Sequence, residues 1–287
     1  MIKNPESGAT TINRFHKIVL LLLMVASLSG CGLIRTGIAS LKSTDDFKPL
    51  ETDKRVLAEP GAEELAKQVA TFLPDAISTV TKAQYRDFQK PIEIYVCATE
   101  DSFISHTGQS KGSRGALTEK LFLSGKLITS EFNDTTKAIL THELSHLQLQ
   151  QQLGIYSFNA NIPSWFQEGL AVMVSNGGGA EKVSDTEAIK AILEGKHFTP
   201  EAKGSFFFKK SGHSYGLEPH MFYRQASLFV SYLKNFSDIK FGLFMLAIED
   251  GGDFGKSFKR IYEIGVDEAW QEFITELKNK QRAMPFA

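Results

Sequence analysis

Apolar and polar residues alternate in two short stretches, which predicts a small β-sheet. Residues 91–97 alternate Ile92, Ile94 and Val96 with polar or aromatic side chains, as expected of a strand. Leu121-Phe122-Leu123 predicts a second strand, and the chain between them, residues 106–118, contains three glycines and is interpreted as a loop. The two strands together predict a small sheet in front of the central helices.

The remaining apolar pattern has the helical period. Residues 61–82 predict a helix, with Pro74 as a kink or a break. Four later segments predict further helices: residues 219–235, 238–249, 253–263 and 267–281. Strands and helices first, followed by helices alone, indicate an α+β fold with a helical C-terminal part.

Aromatic residues are concentrated in this later part. Many of the 22 phenylalanines lie there, and we interpret them as a helical core in preference to a membrane-binding surface. They are Phe206, Phe207, Phe208, Phe222, Phe229, Phe236, Phe241 and Phe244. In the last helix, Trp270, Phe273, Ile274 and Leu277 are expected to face inward.

Two helices are predicted between the sheet and the C-terminal part. Asn133 or Asp134 can cap the first, and Gly154 can end it. This helix is apolar on opposite faces, which indicates a central, buried position.

The second central helix is predicted to begin near residue 164. Ser164 and Gln167 have the spacing of a capping box, and Asn176-Gly177 is a stop signal. Gly169 would let two helix backbones approach closely.

The first central helix carries the sequence His142-Glu143-Leu144-Ser145-His146. Residues four apart share a helix face, so the imidazoles of His142 and His146 can converge on one metal ion. Glu143 lies about 100° further round the helix, close enough to contact a water at that metal.

Glu168, on the second central helix, is the candidate third ligand. Two histidines and a carboxylate would form a zinc site with an open position, which is what hydrolysis requires. In the alternative interpretation, His142 and His146 are buried histidines satisfied by hydrogen bonds alone.

The first 31 residues predict export and a lipid anchor. A polar stretch ending in Arg14 and Lys17 precedes the apolar run Ile18–Leu28, which is too short to span a bilayer. Leu28-Ser29-Gly30-Cys31 resembles a bacterial lipobox, which implies a signal peptide over residues 1–30 and lipid attachment at Cys31. The alternative is an ordinary signal peptide with an incidental cysteine.

The lipobox resemblance also implies a location in the bacterial cell envelope. Gly32 follows the cysteine, which implies transfer to the outer membrane, facing the periplasm, in a cell that has two membranes. Residues 31–60 are polar and are interpreted as a lipidated tether. Residues 61–287 are then one domain, with the sheet and motif helices in residues 61–180 and the helical part in residues 181–287.

The cysteine count predicts the role of Cys97, and the charge pattern bears on possible partners. Cys31 and Cys97 are the two cysteines, and lipidation of the first leaves Cys97 as a buried hydrophobe in the first strand. The chain has a formal net charge of −1, and no basic run is interleaved with aromatic residues. A nucleic acid is therefore not an expected partner.

The chain resembles the gluzincin metallopeptidases of the peptidase MA-like group, which includes thermolysin. The resemblance is carried by His142–His146 and by Trp165-Phe166-Gln167-Glu168-Gly169-Leu170-Ala171. It implies a zincin-like domain, a peptide or protein substrate, zinc bound by His142, His146 and Glu168, and Glu143 as the general base.

The resemblance also implies a residue that stabilises the oxyanion of the reaction. Tyr223 is the first candidate, and His213, Tyr215 and His220 are rivals. Residues 204–218, rich in aromatics and glycine, are expected to line or cover the cleft. The alternative function is a catalytically inactive lipoprotein of this group that acts as a binding or assembly factor.

Overall fold

The computed structural model describes residues 38–39, 41–118, 120–128 and 133–283, and these residues form a mixed α+β fold. The sheet lies near the amino terminus, as predicted. The strands are β1 (Lys48–Pro49), β2 (Val56–Ala58), β3 (Ile94–Val96), β4 (Gly115–Leu117) and β5 (Leu121–Leu123). The helices are α1 (Glu63–Gln84), α2 (Glu100–Thr107), α3 (Asn133–Leu153), α4 (Ile155–Asn161), α5 (Ser164–Val174), α6 (Asp185–Leu193), α7 (Pro219–Phe236), α8 (Asp238–Glu249), α9 (Phe254–Tyr262) and α10 (Val266–Ala283).

The five strands form one mixed sheet in the order β1-β2-β3-β5-β4. The three central strands are parallel, with Ile94 of β3 paired to Val56 on one side and to Leu121 on the other. The outer strands β1 and β4 run antiparallel to their neighbours. Strand β4 is therefore one edge of the sheet, and it contacts α3.

Both faces of the sheet are covered by apolar side chains. Val56, Ile94 and Leu121 belong to the main core shared with the helices. Tyr95, Cys97 and Phe122 belong to a smaller cluster on the other side, which α2 and Phe47 complete. The prediction that Cys97 is a buried hydrophobe is confirmed, since its side chain is fully buried and burial raises the pKa of its thiol to about 12.

Two loop predictions near the sheet are wrong. The tether predicted over residues 31–60 contains β1 and β2, and Val56 and Ala58 are buried because β2 pairs with β3 inside the sheet. The loop predicted over residues 106–118 contains the end of α2 and the edge strand β4. These strands have two or three residues each, too few to show an alternating pattern in the sequence.

The motif helix α3 lies at the centre of the helical part, as predicted. Every residue from 141 to 149 is buried, and α3 packs against both α1 and α5. Helix α1 runs through Pro74 without a break, and Leu73 and Ala76 on either side of the proline are buried in the core. Within the residues the structure describes, none of the helices combines the length and the apolar character needed to cross a membrane.

The C-terminal helices form the predicted aromatic core, with exceptions. Trp270, Phe273, Ile274 and Leu277 are buried, as are Phe222, Phe229, Phe241 and Phe244. The prediction is wrong for Phe207, Phe208 and Phe236, which are 69%, 78% and 59% exposed. Phe207 and Phe208 lie in a segment without helix or strand, and Phe236 is the last residue of α7, where the packed face of that helix ends.

The C-terminal ends of α3 and α5 follow the predictions, whereas the start of α5 does not. Gly154 follows the end of α3, and Asn176 and Gly177, both in the left-handed region, follow the end of α5. The predicted capping box is wrong. Ser164 donates a hydrogen bond to the Lys210 carbonyl, and Gln167 donates to the carbonyls of Phe158, in α4, and of Ile162. A capping box forms instead at Ser184 and Glu187, on helix α6, which was not predicted. The side chains of Asn133 and Asp134 lie outside the described residues.

Gly169 sets the distance between α5 and α7. A Cβ atom at this position would lie 2.6 Å from the carbonyl oxygen of Ala226, which is closer than real Cβ contacts allow. The two helix backbones therefore touch at Gly169, one residue after Glu168, as the sequence predicted.

We predict that Gly169→Ala lowers the free energy of unfolding by about 1–3 kcal/mol, because α5 and α7 must separate to admit the methyl group. Gly242→Ala in α8 is the matched control, since its Cβ would meet only the Tyr85 ring at 3.3 Å. Urea unfolding of both variants measures the difference, and equal destabilisation by the two would contradict this account.

A buried carboxylate, that of Glu249, lies at the end of α8 and interacts with Gln148 of α3. The Glu249 side chain is 0% exposed, and its Oε2 lies 3.2 Å from Nε of Arg86. Burial raises the pKa of Glu249 to about 7, against the smaller opposing effects of Gln148 and Arg86. The folded protein thus holds this proton more tightly than the unfolded chain, whose ordinary pKa is 4.5. Its contribution to stability is present at low pH and is lost as the pH rises from 4.5 to about 7.

We predict that Glu249→Gln stabilises the protein increasingly with pH, because glutamine mimics the protonated acid and cannot ionise. Its free energy of unfolding relative to the wild type should rise by about 2–3 kcal/mol between about pH 5 and about pH 8. Asp250→Asn, which alters the exposed carboxylate bound to the same guanidinium, is the control. A Glu249→Gln effect that does not change with pH would rule out a raised pKa at this position.

Candidate metal centre

Three side chains from two helices converge at one point in the core. Nε2 of His142 and Nε2 of His146, both on α3, lie 3.1 Å apart. Oε2 of Glu168, on α5, lies 3.5 Å from the first nitrogen and 3.6 Å from the second. The structure therefore brings together the three residues that the sequence predicted as ligands, and this buried group could hold a metal ion. We call His142, His146 and Glu168 the ligand group.

The shape of this group fits a tetrahedral cation. Ligand atoms about 2.0–2.1 Å from a tetrahedral metal are about 3.3–3.4 Å from one another. The three observed separations lie on either side of that value. Two imidazoles and one carboxylate are also the donor set of a hydrolytic metal site.

The tautomer of His142 is set by a backbone carbonyl. Its Nδ1 lies 2.8 Å from the Gly178 oxygen, so Nδ1 carries the hydrogen and donates it. The Nε2 of the neutral ring then presents a lone pair to the group. The Nδ1 of His146 is buried and has no hydrogen-bond partner among the described residues.

Electrostatics favour positive charge between these side chains. Burial raises the pKa of Glu168, but its interactions with His142 and His146 more than reverse this, and its pKa lies well below the ordinary value. Burial lowers the pKa of His142, but Glu168 and Glu143 more than offset it, and that pKa is raised. The arrangement thus stabilises a carboxylate paired with a cation.

Glu143 borders the same point without belonging to the ligand group. Its side chain is 8% exposed and lies beneath the edge strand β4. A Cβ atom on Gly115 would lie 2.5 Å from Cγ of Glu143, so a larger residue at position 115 would displace either the strand or the Glu143 side chain. Burial, more than any charge, raises the pKa of Glu143.

Tyr223, in the first part of α7, faces the ligand group. Its ring centroid lies 6.4 Å from that of His142. The negative charge of Glu168, followed by burial and by Glu143, raises its pKa well above the ordinary value. The phenol therefore stays protonated, and within the described part of the chain its hydroxyl has no hydrogen-bond partner.

The three alternative candidates, Tyr215, His213 and His220, do not have the ring contact with His142 that Tyr223 has. The Tyr215 hydroxyl donates to the Thr199 carbonyl and to Glu201, and His213 is exposed on a short 3-10 turn. His220 lies beside Glu181, with its Nδ1 3.7 Å from the carboxylate. Of the four, Tyr223 is the one whose ring contacts a ligating histidine.

Residues 204–218 pack against the start of α5, beside the ligand group. The Gly204 N–H donates to the Asn161 carbonyl, and Lys209 Nζ donates to Oε1 of Gln167, the neighbour of Glu168. Whether this segment covers bound substrate stays a prediction. The predicted signal peptide, residues 1–30, and Cys31 lie outside the described residues.

The partners that orient His142 were not predicted. The sequence predicted only a helix stop at Asn176-Gly177, yet Gly178, the next residue, supplies the carbonyl that His142 bonds. Arg114 and Glu181 lie next to this loop. The sequence signal was the glycine tract itself, since repeated glycine after a ligand-bearing helix can mark a backbone that approaches a site.

In comparisons with known proteins, no family model matches this chain, and no curated protein shows a significant match to it.

We predict that Glu168→Ala abolishes stable metal binding, whereas Glu143→Gln keeps it. Loss of a hydrogen-bond partner behind a ligand typically weakens metal affinity by about 10–100-fold. Loss of the ligating oxygen itself should weaken metal affinity by more than this. Elemental analysis after dialysis against divalent cations, with circular dichroism to check folding, measures both variants. Equal metal content in folded Glu168→Ala and wild-type protein would show that the carboxylate is not a ligand.

Proposed function

We propose that this chain is a zinc-dependent metallopeptidase of the gluzincin type, with a zincin-like domain. The observation that carries the proposal is the convergence of Glu168 on His142 and His146 across two helices. Buried histidines of purely structural role would not need a buried carboxylate at nearly equal distances from both Nε2 atoms. Zinc at this position would lower the pKa of a water molecule to about 7 and polarise the carbonyl of the scissile bond.

In this proposal Glu143 moves the protons of the reaction. It lies next to the ligand group but is not part of it, so its carboxylate is free to accept a proton from the attacking water. The same carboxyl group then donates that proton to the leaving amine. Burial beneath Gly115 keeps bulk water from the carboxylate and fixes its position.

Tyr223 is the proposed oxyanion donor. Its protonated hydroxyl lies in the field of Glu168 and Glu143 and has no other hydrogen-bond partner among the described residues. A donor already aimed at the reacting centre stabilises developing negative charge without first breaking a bond elsewhere.

The proposed cellular location of the reaction is inferred from the sequence alone. We propose that Cys31 is lipidated and anchors the protein to the bacterial cell envelope, in the outer membrane facing the periplasm. The substrate class is then a peptide or protein of that compartment.

The test is the Glu143→Gln variant assayed on a mixed peptide library. Without the general base, hydrolysis should fall by about 10²–10⁴-fold while zinc content stays unchanged. Glu249→Gln, another buried glutamate but outside the centre, is the matched control and should hydrolyse peptides at the wild-type rate.

Two outcomes would overturn the peptidase proposal. One is hydrolysis by Glu143→Gln at the wild-type rate. The other is wild-type protein that binds one zinc ion yet cleaves no peptide of the library. The second outcome would favour the alternative, a zinc-holding binding or assembly factor.

A further inference from the structure

The loop after α5, residues 175–180, brings a backbone carbonyl to the candidate metal centre. Asn176, Gly177 and Gly179 have φ values of 53°, 101° and 88°. This backbone turns the Gly178 carbonyl toward His142, whose Nδ1 lies 2.8 Å away. A run of left-handed residues rich in glycine loses much conformational entropy when it is ordered. Within the loop, the Ala180 N–H donates to the Gly177 carbonyl, and the Ser175 hydroxyl lies 3.4 Å from the Gly178 oxygen. Side chains outside the loop add further contacts that hold this shape.

Glu181 makes such a contact on the side of the sheet. Its Oε1 accepts the Gly179 N–H at 3.0 Å, and its Oε2 lies 2.6 Å from a guanidinium nitrogen of Arg114. Arg114 directly precedes β4, whose first residue, Gly115, contacts Glu143. One carboxylate thus ties the loop to the strand that covers the proposed general base.

The other side of the loop is held separately. Arg224, on α7, donates to the carbonyls of Ala180 and Val183. These bonds fix the chain after the loop, whereas Glu181 bonds the residue next to Gly178. Outside the loop, the side chain bonded closest to the carbonyl that faces His142 is therefore Glu181, and Arg114 holds Glu181.

We propose that Arg114 and Glu181 are positioning residues for the metal centre, which keep the Gly178 carbonyl on Nδ1 of His142 and so hold its Nε2 lone pair toward the cation. The inference rests on the proposed metal centre and adds to it two residues outside the ligand set. Outer partners that fix the tautomer and orientation of a ligating histidine raise metal affinity. The pair couples residues 67 positions apart in the chain, and the two side chains are 26% and 31% exposed.

A second carboxylate with the same kind of contacts provides a matched control for Glu181. Glu100 accepts the Gly112 N–H and lies 3.1 Å from Nζ of Lys126, so it too joins a glycine N–H to a cation. No contact joins this group to His142, His146 or Glu168 among the described residues. Glu100→Gln therefore removes a similar carboxylate without touching the path to the centre.

The first experiment measures zinc affinity of the full chain by competition with a chromophoric chelator. Glu181→Gln and Arg114→Gln should each weaken zinc binding by about 10–100-fold. The double variant should be little weaker than either single one, because both substitutions break the same unit. Arg114→Lys, which keeps the charge, should recover part of the loss, and Glu100→Gln should bind zinc as the wild type does.

The second experiment needs no metal. Nitrogen-15 chemical shifts of the His142 ring in metal-free protein, recorded at a pH above the raised pKa of this ring, report which nitrogen of the neutral ring carries the hydrogen. The wild type and Glu100→Gln should show the hydrogen on Nδ1, whereas Glu181→Gln should show a mixture of tautomers.

The two readouts separate the possible failures. Wild-type zinc affinity in Glu181→Gln, or equal losses in Glu181→Gln and Glu100→Gln, would overturn the positioning role. If the wild type binds no zinc, the proposed function fails, and the tautomer measurement still decides whether Glu181 positions His142. An unchanged tautomer in Glu181→Gln would overturn the inference on its own.

Discussion

The buried carboxylate of Glu168 is the constraint on which the rest of the structure depends. An ionised carboxylate in a protein core costs several kcal/mol unless a positive charge compensates it. Two neutral imidazoles supply none, and the raised pKa of His142 together with the lowered pKa of Glu168 shows that this pocket favours added positive charge. A divalent cation would supply that charge in place of a proton, so that metal binding, proton release and folding become linked.

Close backbone approach makes this convergence possible. Gly169 lets α5 lie against α7 one residue from Glu168, and Gly115 lets the edge strand lie on Glu143. A Cβ atom at Gly169 would meet the backbone of Ala226, and a Cβ atom at Gly115 would meet the side chain of Glu143, so a larger residue at either position would displace its neighbour. The positions of the carboxylates therefore depend on residues that have no chemistry of their own.

Much of the helical part could be predicted from the sequence, and much of the sheet could not. Helices α7, α8 and α10 have long apolar stripes, and their observed bounds lie close to the predicted ones. Strands β1, β2 and β4 have two or three residues, too few to show an alternating pattern, and β2 is held inside the sheet by pairing with β3, which is distant in sequence. The Ser164–Gln167 spacing was misleading because both side chains bond other partners: Ser164 bonds the Lys210 carbonyl, and Gln167 bonds the carbonyls of Phe158 and Ile162.

The sequence by itself determined what depends on helical geometry. Four-residue spacing placed His142 and His146 on one face of a buried helix, and a second apolar helix carried Glu168. Only the tertiary structure decided which partners surround these residues: the Gly178 carbonyl on His142, the Arg114–Glu181 pair behind it, and the Tyr223 ring beside it. The physical reason is that the helical repeat follows from the backbone angles of neighbouring residues. Contacts between segments that are distant in sequence form only when the core packs.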